Sequence, residues 1–318
     1  MRSDRAATVL LIVVLLALVA LPAVAGKYYV QLATKILIMA VFAMSLDLLV
    51  GYAGLVSLGH AAFFGFGAYL VALAAPQYQA ANFWTSLPLA VGGAALLAAA
   101  IGFFAVRTQG VYFIMVTLAF AQMVYYVFHD TKIAGGSDGI FIDVRPDTAL
   151  FGWTPFDLAN FVHLYFVVLA VFVAAYLVLR VVLASPFGRV VQGIRVNEHR
   201  MKSLGFPTFR YKLVAFTIAG AVAGLAGYFG AVQYGAVNPE MLGWHLSGSV
   251  LMMVILGGMG TLAGAVIGAA AFLLLELVFQ GLSEHWQLLM GTTIVLVALF
   301  LPNGIAGLAW PLQRGRSG

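Results

Sequence analysis

The chain contains no cysteine. Disulfides, thiolate nucleophiles and cysteine-ligated metals are excluded, while the compartment stays open. Charge is nearly as scarce. Only 8% of the 318 residues are Asp, Glu, Lys or Arg, against about a quarter in a soluble domain. That is too little to coat a water-facing surface around a chain that is 63% hydrophobic, so lipid must be the solvent. Catalytic signatures are missing as well. No GxxxxGK(S/T) phosphate loop, no HExxH helix and no GxSxG elbow occurs, and nothing resembles a catalytic constellation. Gly258-Met259-Gly260 looks superficially like a dinucleotide loop, but no strand precedes it and its surroundings are apolar. The net charge of +5 does not point to nucleic acid, because the bases sit between apolar runs in the manner of a positive-inside membrane protein.

What is present is a series of apolar runs. A helix needs about 20 residues to cross a ~30 Å hydrocarbon core. Candidate crossings lie at 7–25, 30–50, 58–75, 86–106, 110–128, 160–183, 211–234, 247–257, 261–280 and 285–303. The stretch 247–280 is too short for two full crossings and a turn, and its Gly257–Gly260 cluster argues against one straight helix, so a short or broken pair is expected there. Residues 1–26 read as a retained first helix. Ala23-Val24-Ala25 would also suit a signal cleavage site, but 19 apolar residues exceed the 7–15 of a signal core. The fold class is thus all-α, a single polytopic membrane domain over 1–318 with about ten crossings. Its two five-helix halves would run in opposite senses, the pattern of inverted repeats.

Charge orients this count. Arg2 and Arg5 place the N-terminus in the cytoplasm, and Arg314 and Arg316 end there too if 247–303 crosses three times. The loop 129–159 then falls outside, with Asp130, Asp138, Asp143, Asp147 and Asp157 against Lys132 and Arg145. Residues 235–246 also fall outside, with Glu240 and no base, while Arg107 and the segment 180–212 fall inside. Lys27 and Lys35 are the exceptions, and Lys35 can snorkel to the interface.

The segment 180–212 is the one long polar stretch between crossings, with seven bases and a single acid, Glu198. Phe187, Val190, Val191, Ile194, Met201 and Leu204 recur at helical spacing. Ser185-Pro186 is a helix start and Gly205 a stop. A basic amphipathic helix over 185–205 is expected, either docking on a protein or lying on lipid headgroups.

A few residues inside the apolar runs carry chemistry. In SLDLLVGYAGLVSLGHAAFFGFGAYL (45–70), Gly51, Gly54, Gly59, Gly65 and Gly67 interrupt the run, with Ser57 and His60 among them. Small residues allow close helix approach or break helices where a path is lined. Asp47 is the sharpest single residue, since a carboxylate at a helix centre costs about 2.5–3.5 kcal/mol. It reads as a pathway or gating group, or as an inner-interface acid paired with a base or a backbone donor. His60 has no His, Asp or Glu at i+3 or i+4, so a metal site lacks local support and a packed, hydrogen-bonded imidazole is favoured over a proton relay. Thr117, Gln122, Gln233 and Glu276 read first as interhelical hydrogen-bonding groups. Gly220-x-x-x-Gly224 and Gly260-x-x-x-Gly264-x-x-x-Gly268 mark close helix faces.

Taken in order, GYAGLVSLGHAAFFGFGAYL (51–70), GVYFIMVTLAFAQMV (110–124) with GGSDGI (135–140), SPFGRVVQGIRVNEHRMKSLGFPTFRYKLVAFTIAGAVAGLAG (185–227) and ILGGMGTLAGAVIGA (255–269) resemble the permease family of ABC importers for branched-chain amino acids. The likeness runs from about residue 35 to 305 and is greatest to the M-type of the two paired permease subunits. The family often carries Asn where this chain has Asp47. Some relatives import urea or short amides.

The resemblance implies a heterodimer with a sister permease in a bacterial inner membrane, two cytoplasmic ATPase subunits that bind the ATP, and a periplasmic solute-binding protein. No cofactor is expected on this chain. It also implies that 185–205 is a coupling helix, with Phe187, Arg189, Ile194, Arg195, Asn197, Glu198, Arg200 and Met201 meeting an ATPase. Asp47, Ser57, His60, Thr117 and Gln122 stand as candidates along the substrate path. Gly51, Gly54, Gly59, Gly65, Gly220, Gly224, Gly260 and Gly264 stand as packing positions. A secondary transporter would want ionisable groups at the midplane. Asp47 and Glu276 are the only carboxylates in candidate crossings, and neither is clearly central. A membrane-embedded enzyme is disfavoured by the missing motifs.

Overall fold

The computed structural model describes residues 18–23, 25–74, 79–142, 144–149, 154–301 and 303–309. Most of the candidate crossing 7–25, together with Arg2, Arg5, Arg314 and Arg316, lies outside the described residues. In hydrocarbon every backbone group must be satisfied internally, which a helix does by itself. The described chain is accordingly a helix bundle. It comprises α1 (Lys27–Asp47, continued by a π-helical turn Leu48–Ala53), α2 (Ala61–Ala74), α3 (Phe83–Ala105), α4 (Val111–Asp130) and α5 (Phe161–Ala184), then α6 (Pro186–Val196), α7 (Glu198–Ser203), α8 (Thr208–Tyr234), α9 (Trp244–Gly257), α10 (Leu262–Leu282) and α11 (Trp286–Phe300).

Six helices among the described residues are long and apolar enough to cross a membrane: Lys27–Ala53, α3, α4, α5, α8 and α10. The helices α2, α9 and α11 are apolar but shorter. At 1.5 Å per residue, the 27 residues of Lys27–Ala53 or of α8 reach ~40 Å, whereas the 14 of α2 or α9 reach only ~21 Å. The short helices follow long ones, and non-helical chain must make up the remaining depth. Such backbone is tolerated only where protein covers it. That holds between α1 and α2, where Leu55, Ser57, Gly59 and His60 are buried.

The Lys27–Ala53 crossing is the axis of the bundle. Every residue from Leu37 to Val50 is buried. The outer helices show the reverse pattern, with Leu96, Tyr112, Met115 and Met123 exposed. An apolar exterior around a buried axis is what a lipid solvent selects. Close contacts need small residues. A Cβ at Gly220 would collide with the Ala98 methyl and one at Gly224 with the Ala94 methyl, which draws α8 onto α3. Gly59 sits against the Thr117 carbonyl of α4, and Gly65 against Leu242. Gly260 is a correction: it lies in the break before α10 rather than on its face. Gly264 serves that helix start, packed on Thr261 and the Gly258 carbonyl.

Connections gather at two ends. At one end the strand β1 (Ile140–Phe141) pairs antiparallel with β2 (Ala236–Val237), and Asp147 exchanges backbone bonds with Ala81 and Phe83. The loops 79–82, 131–160 and 235–243 therefore meet. At the other end, Gln109 reaches Glu198, Gly54 lies against Arg195, Gly51 against Gly260, and Gly258 against Asn303.

The segment expected as one helix over 185–205 is two. Ser185 caps α6 through Gly188 N. Asn197 then takes an extended conformation and its side chain caps α7 through Arg200 N, 2.9 Å. An Asn that can serve as a cap ends one helix and starts the next. Met201 consequently folds back onto the bare backbone of Gly193 instead of extending the stripe of α6.

Candidate functional site

The most unusual local structure is the end of the central crossing. Its last turn widens to a π-helix over Leu48–Ala53 and closes at Gly54, where the backbone is left-handed (φ 71°). Wide turns of this kind are rare and concentrate at functional positions. Asp47 begins the turn and is fully buried. Its Oδ1 accepts a hydrogen bond from Gly260 N at 2.8 Å, and its Oδ2 has no partner. Gly51 lies between, and a Cβ there would strike both the Asp47 carboxylate and the Gly260 backbone. The Gly51 carbonyl, freed by the end of the helix, accepts from Arg195 Nη1. Arg195 reaches it from the last turn of α6 by passing over Gly54, its Cγ 3.0 Å from where a Cβ would stand. Three segments far apart in sequence thus converge on one carboxylate and one guanidinium.

A second buried polar group lies two residues earlier. Ser45 donates its hydroxyl proton to the Phe42 carbonyl at 2.6 Å. His60 Nε2 is 2.8 Å from Ser45 Oγ, whose proton is already given to Phe42, so the imidazole is the donor there. Its Nδ1 then presents a lone pair that has no partner. The ring stacks on Phe42 and meets Phe63 edge-on. His60 is a packed, singly bonded histidine whose partner is a serine hydroxyl. Ser57 is buried and accepts from Gly59 N, and Thr117 is satisfied by the Ile114 carbonyl of its own helix. Gln122 is half-buried on α4. Asp47 and His60 are brought into one buried region through α1, and Thr117 meets that region through Gly59, but the five candidates do not form a single pocket. Sequence reasoning passed over Ser45 and also Ser247, whose hydroxyl receives Ala61 N at 2.8 Å. Lone serines in apolar runs were the available signal.

The helices α6 and α7 form the polar part of the site. The apolar stripe expected to seat on a partner is used within the chain. Val191 and Ile194 are buried, and Phe187 stacks on Tyr211 of α8. Arg189, Val196, Asn197 and Arg200 face outward. Glu198 turns inward as the hub of a network. It binds Lys202 at 3.0 Å and the buried Lys212 at 3.1 Å, and also takes the Thr208 hydroxyl and the Gln109 amide. Burial alone would raise its carboxyl, but Lys202, Lys212 and Thr208 outweigh that and hold it below the usual carboxylate range. Thr208 and Gln109 were not singled out from sequence, and Lys212 was only one base among seven, because only folding brings α8 and the connection at Gln109 to one acid.

A bundle of apolar helices around a buried, broken axis, with a basic helix pair wired to the break, defines a multi-pass membrane transport protein. The chain belongs to the branched-chain amino acid transport system permease family, whose sequence model matches residues 28–298. It is 32% identical to the high-affinity branched-chain amino acid transport system permease protein LivM of Salmonella typhimurium, over 97% of this chain and 77% of the relative. The same figures hold for LivM of Escherichia coli. The permease protein LivH of Escherichia coli is 28% identical over 39% of this chain and 40% of its own length. No solved structure matches the chain.

Proposed function

We propose that this chain is a membrane-spanning subunit of an ATP-driven importer for branched-chain amino acids in a bacterial inner membrane. It works as one permease unit, with both termini in the cytoplasm. It pairs with a second, LivH-like permease. Two cytoplasmic ATPase subunits bind the nucleotide, and this chain itself uses no cofactor. A periplasmic binding protein delivers the solute at the end where β1 and β2 pair, and specificity resides largely in that protein. The path is lined mainly by apolar and small side chains, suited to a zwitterion with an apolar side chain that must be released again.

The carrying observation is the wiring of α6 and α7. Their outer face offers Arg189, Asn197 and Arg200, while Arg195 and Glu198 tie the pair inward to the central crossing and to α8. A push on the outer face is transmitted to the axis of the bundle. Element lengths support an inverted repeat of about ten crossings. A 27-residue helix followed by a 14-residue one occurs twice, at Lys27–Ala74 and at Thr208–Gly257, and helices of 23 and 21 residues follow.

Uptake by the reconstituted complex tests the reading. Transport is expected to require ATP on the ATPase side and to survive an ionophore that collapses ion gradients. Uptake without the ATPases would overturn it. Replacing Arg189 and Arg200 together with Glu is expected to reduce co-purification of the ATPases while leaving the chain in the membrane.

A further inference from the structure

We propose that Asp47 and Arg195 form a latch that holds the end of the central crossing shut against Gly260, so that moving α6 releases both broken crossings together. This rests on the importer reading above and adds to it the element on which the coupling segment acts.

Asp47 is fully buried with one oxygen bonded to Gly260 N and the other unpaired. A buried carboxylate without a second partner is costly, and it is tolerated where an opposite charge stands close by. Arg195 is that charge. Its Nη1 lies on the Gly51 carbonyl and 3.4 Å from where a Cβ on Gly260 would stand, so it binds one and borders the other of the two pieces of backbone that Asp47 holds together. The joint is closed on one side by a carboxylate rooted in α1 and on the other by a guanidinium rooted in α6. Withdrawing α6 removes the guanidinium. The carboxylate is then left uncompensated, and water entering the joint becomes favourable. The glycines fit this role. A side chain at Gly51 would wedge the joint apart, and one at Gly54 would stand in the path of Arg195. A simple cap for the last carbonyls of a helix would need Arg195 alone. The buried acid on the far side of Gly51 makes it a two-part device.

The absence of native cysteine provides a direct test. Ser57, buried in the segment just past the joint, is replaced by Cys in the assembled transporter. Labelling of this chain by a membrane-impermeant maleimide is then timed from the ATPase side. Asp47→Asn and Arg195→Gln are each expected to speed labelling severalfold. The double variant should be no faster than the faster single, because the second change removes a partner already lost. Multiplying effects, or a response to Arg195→Gln alone, would reduce the arrangement to a cap and overturn the latch, as would unchanged labelling. Asp47→Asn keeps an oxygen for the Gly260 amide. Should that variant fail to accumulate, Asp47→Glu replaces it: the charge remains but is displaced by a methylene, and a latch must again loosen. The labelling needs no transport. ATP-driven uptake with unresponsive labelling sinks the latch alone, whereas ATP-independent uptake with responsive labelling sinks only the importer reading.

Discussion

The end of the bundle that carries α6 and α7 is tied mainly by side chains, and the opposite end mainly by backbone. At the first, one acid, Glu198, joins Gln109, Lys202, Thr208 and Lys212, and one base, Arg195, reaches the central crossing. At the second, most ties are main-chain bonds: the strand pair, Ile142 N to Gly235 O at 2.9 Å, Phe83 N to Asp147 O at 2.8 Å and Asp147 N to Ala81 O at 2.7 Å, with the Trp84 indole donating to the Thr148 carbonyl beside them. Backbone ties persist whatever side chains they carry. Side-chain ties depend on a few atoms and on charge, and they can be made and broken as a unit. The difference is the one the proposed importer needs, with an end that can be moved and an end that keeps its shape.

The comparison breaks first at Glu198. Removing it in Glu198→Ala leaves Lys212, 4% exposed, as a buried charge without its acid. Losing one partner of a buried pair costs about 3 kcal/mol or somewhat more, and the connection at Gln109, α7 and α8 lose their common anchor. The midpoint of thermal unfolding in detergent is expected to fall clearly. The same network sets a pH dependence. The carboxyl is held below its usual range, so its contribution is complete above the ordinary carboxylate pKa. It disappears as pH falls through the lowered folded value. Acidification from neutral to mildly acid pH is expected to leave this end intact, and stronger acid to loosen it in wild type but not further in Glu198→Ala. Equal acid sensitivity in the two proteins would contradict the network.

The opposite end has its own vulnerable point, and it is a backbone one. Gly139 precedes β1 with φ 75° and ψ −161°, a region open in practice to glycine alone. A Cβ there would also collide with the Val237 carbonyl. Gly139→Ala is expected to cost about 1–3 kcal/mol through this strain and to separate β1 from β2. Hydrogen exchange at Ile142 N would then rise. A neutral Gly139→Ala would mean that the strand pair does not tie the two loops.

The contrast also explains what was legible in the amino-acid sequence. Candidate runs from 30–50 onward coincide with helices because burial in lipid is read one residue at a time. Even the broken pair after residue 247 follows from its Gly257–Gly260 cluster. The π turn was not legible, since LLVGYA is apolar throughout and carries no signature of a wider turn. Nor was the partner of Asp47, a backbone amide 213 positions away. Asn197 looked like one more polar residue of an amphipathic helix, and only its extended backbone shows it to be a cap. The strand pair involves two residues on each side, too few for an alternation to register. Local propensity and hydropathy were readable, whereas contacts created by folding were not, and the candidate site consists almost wholly of the latter.

The smallest expected effect is the most discriminating. Phe141 lies in β1 with its side chain 74% exposed, so its contribution to that end should be its backbone alone. Phe141→Ser keeps the pairing with Ala236 and removes an aromatic ring that packs on little. The expected change in stability is within about 0.5 kcal/mol, seen as an unmoved unfolding midpoint. Delivery of solute can still change, because an exposed aromatic ring on the loop end is a contact a binding protein would use. A stable Phe141→Ser protein with weakened binding-protein association assigns the ring to docking and leaves the backbone to hold the shape. A clear loss of stability would show that even an exposed side chain holds this end, and the distinction between the two ends would disappear.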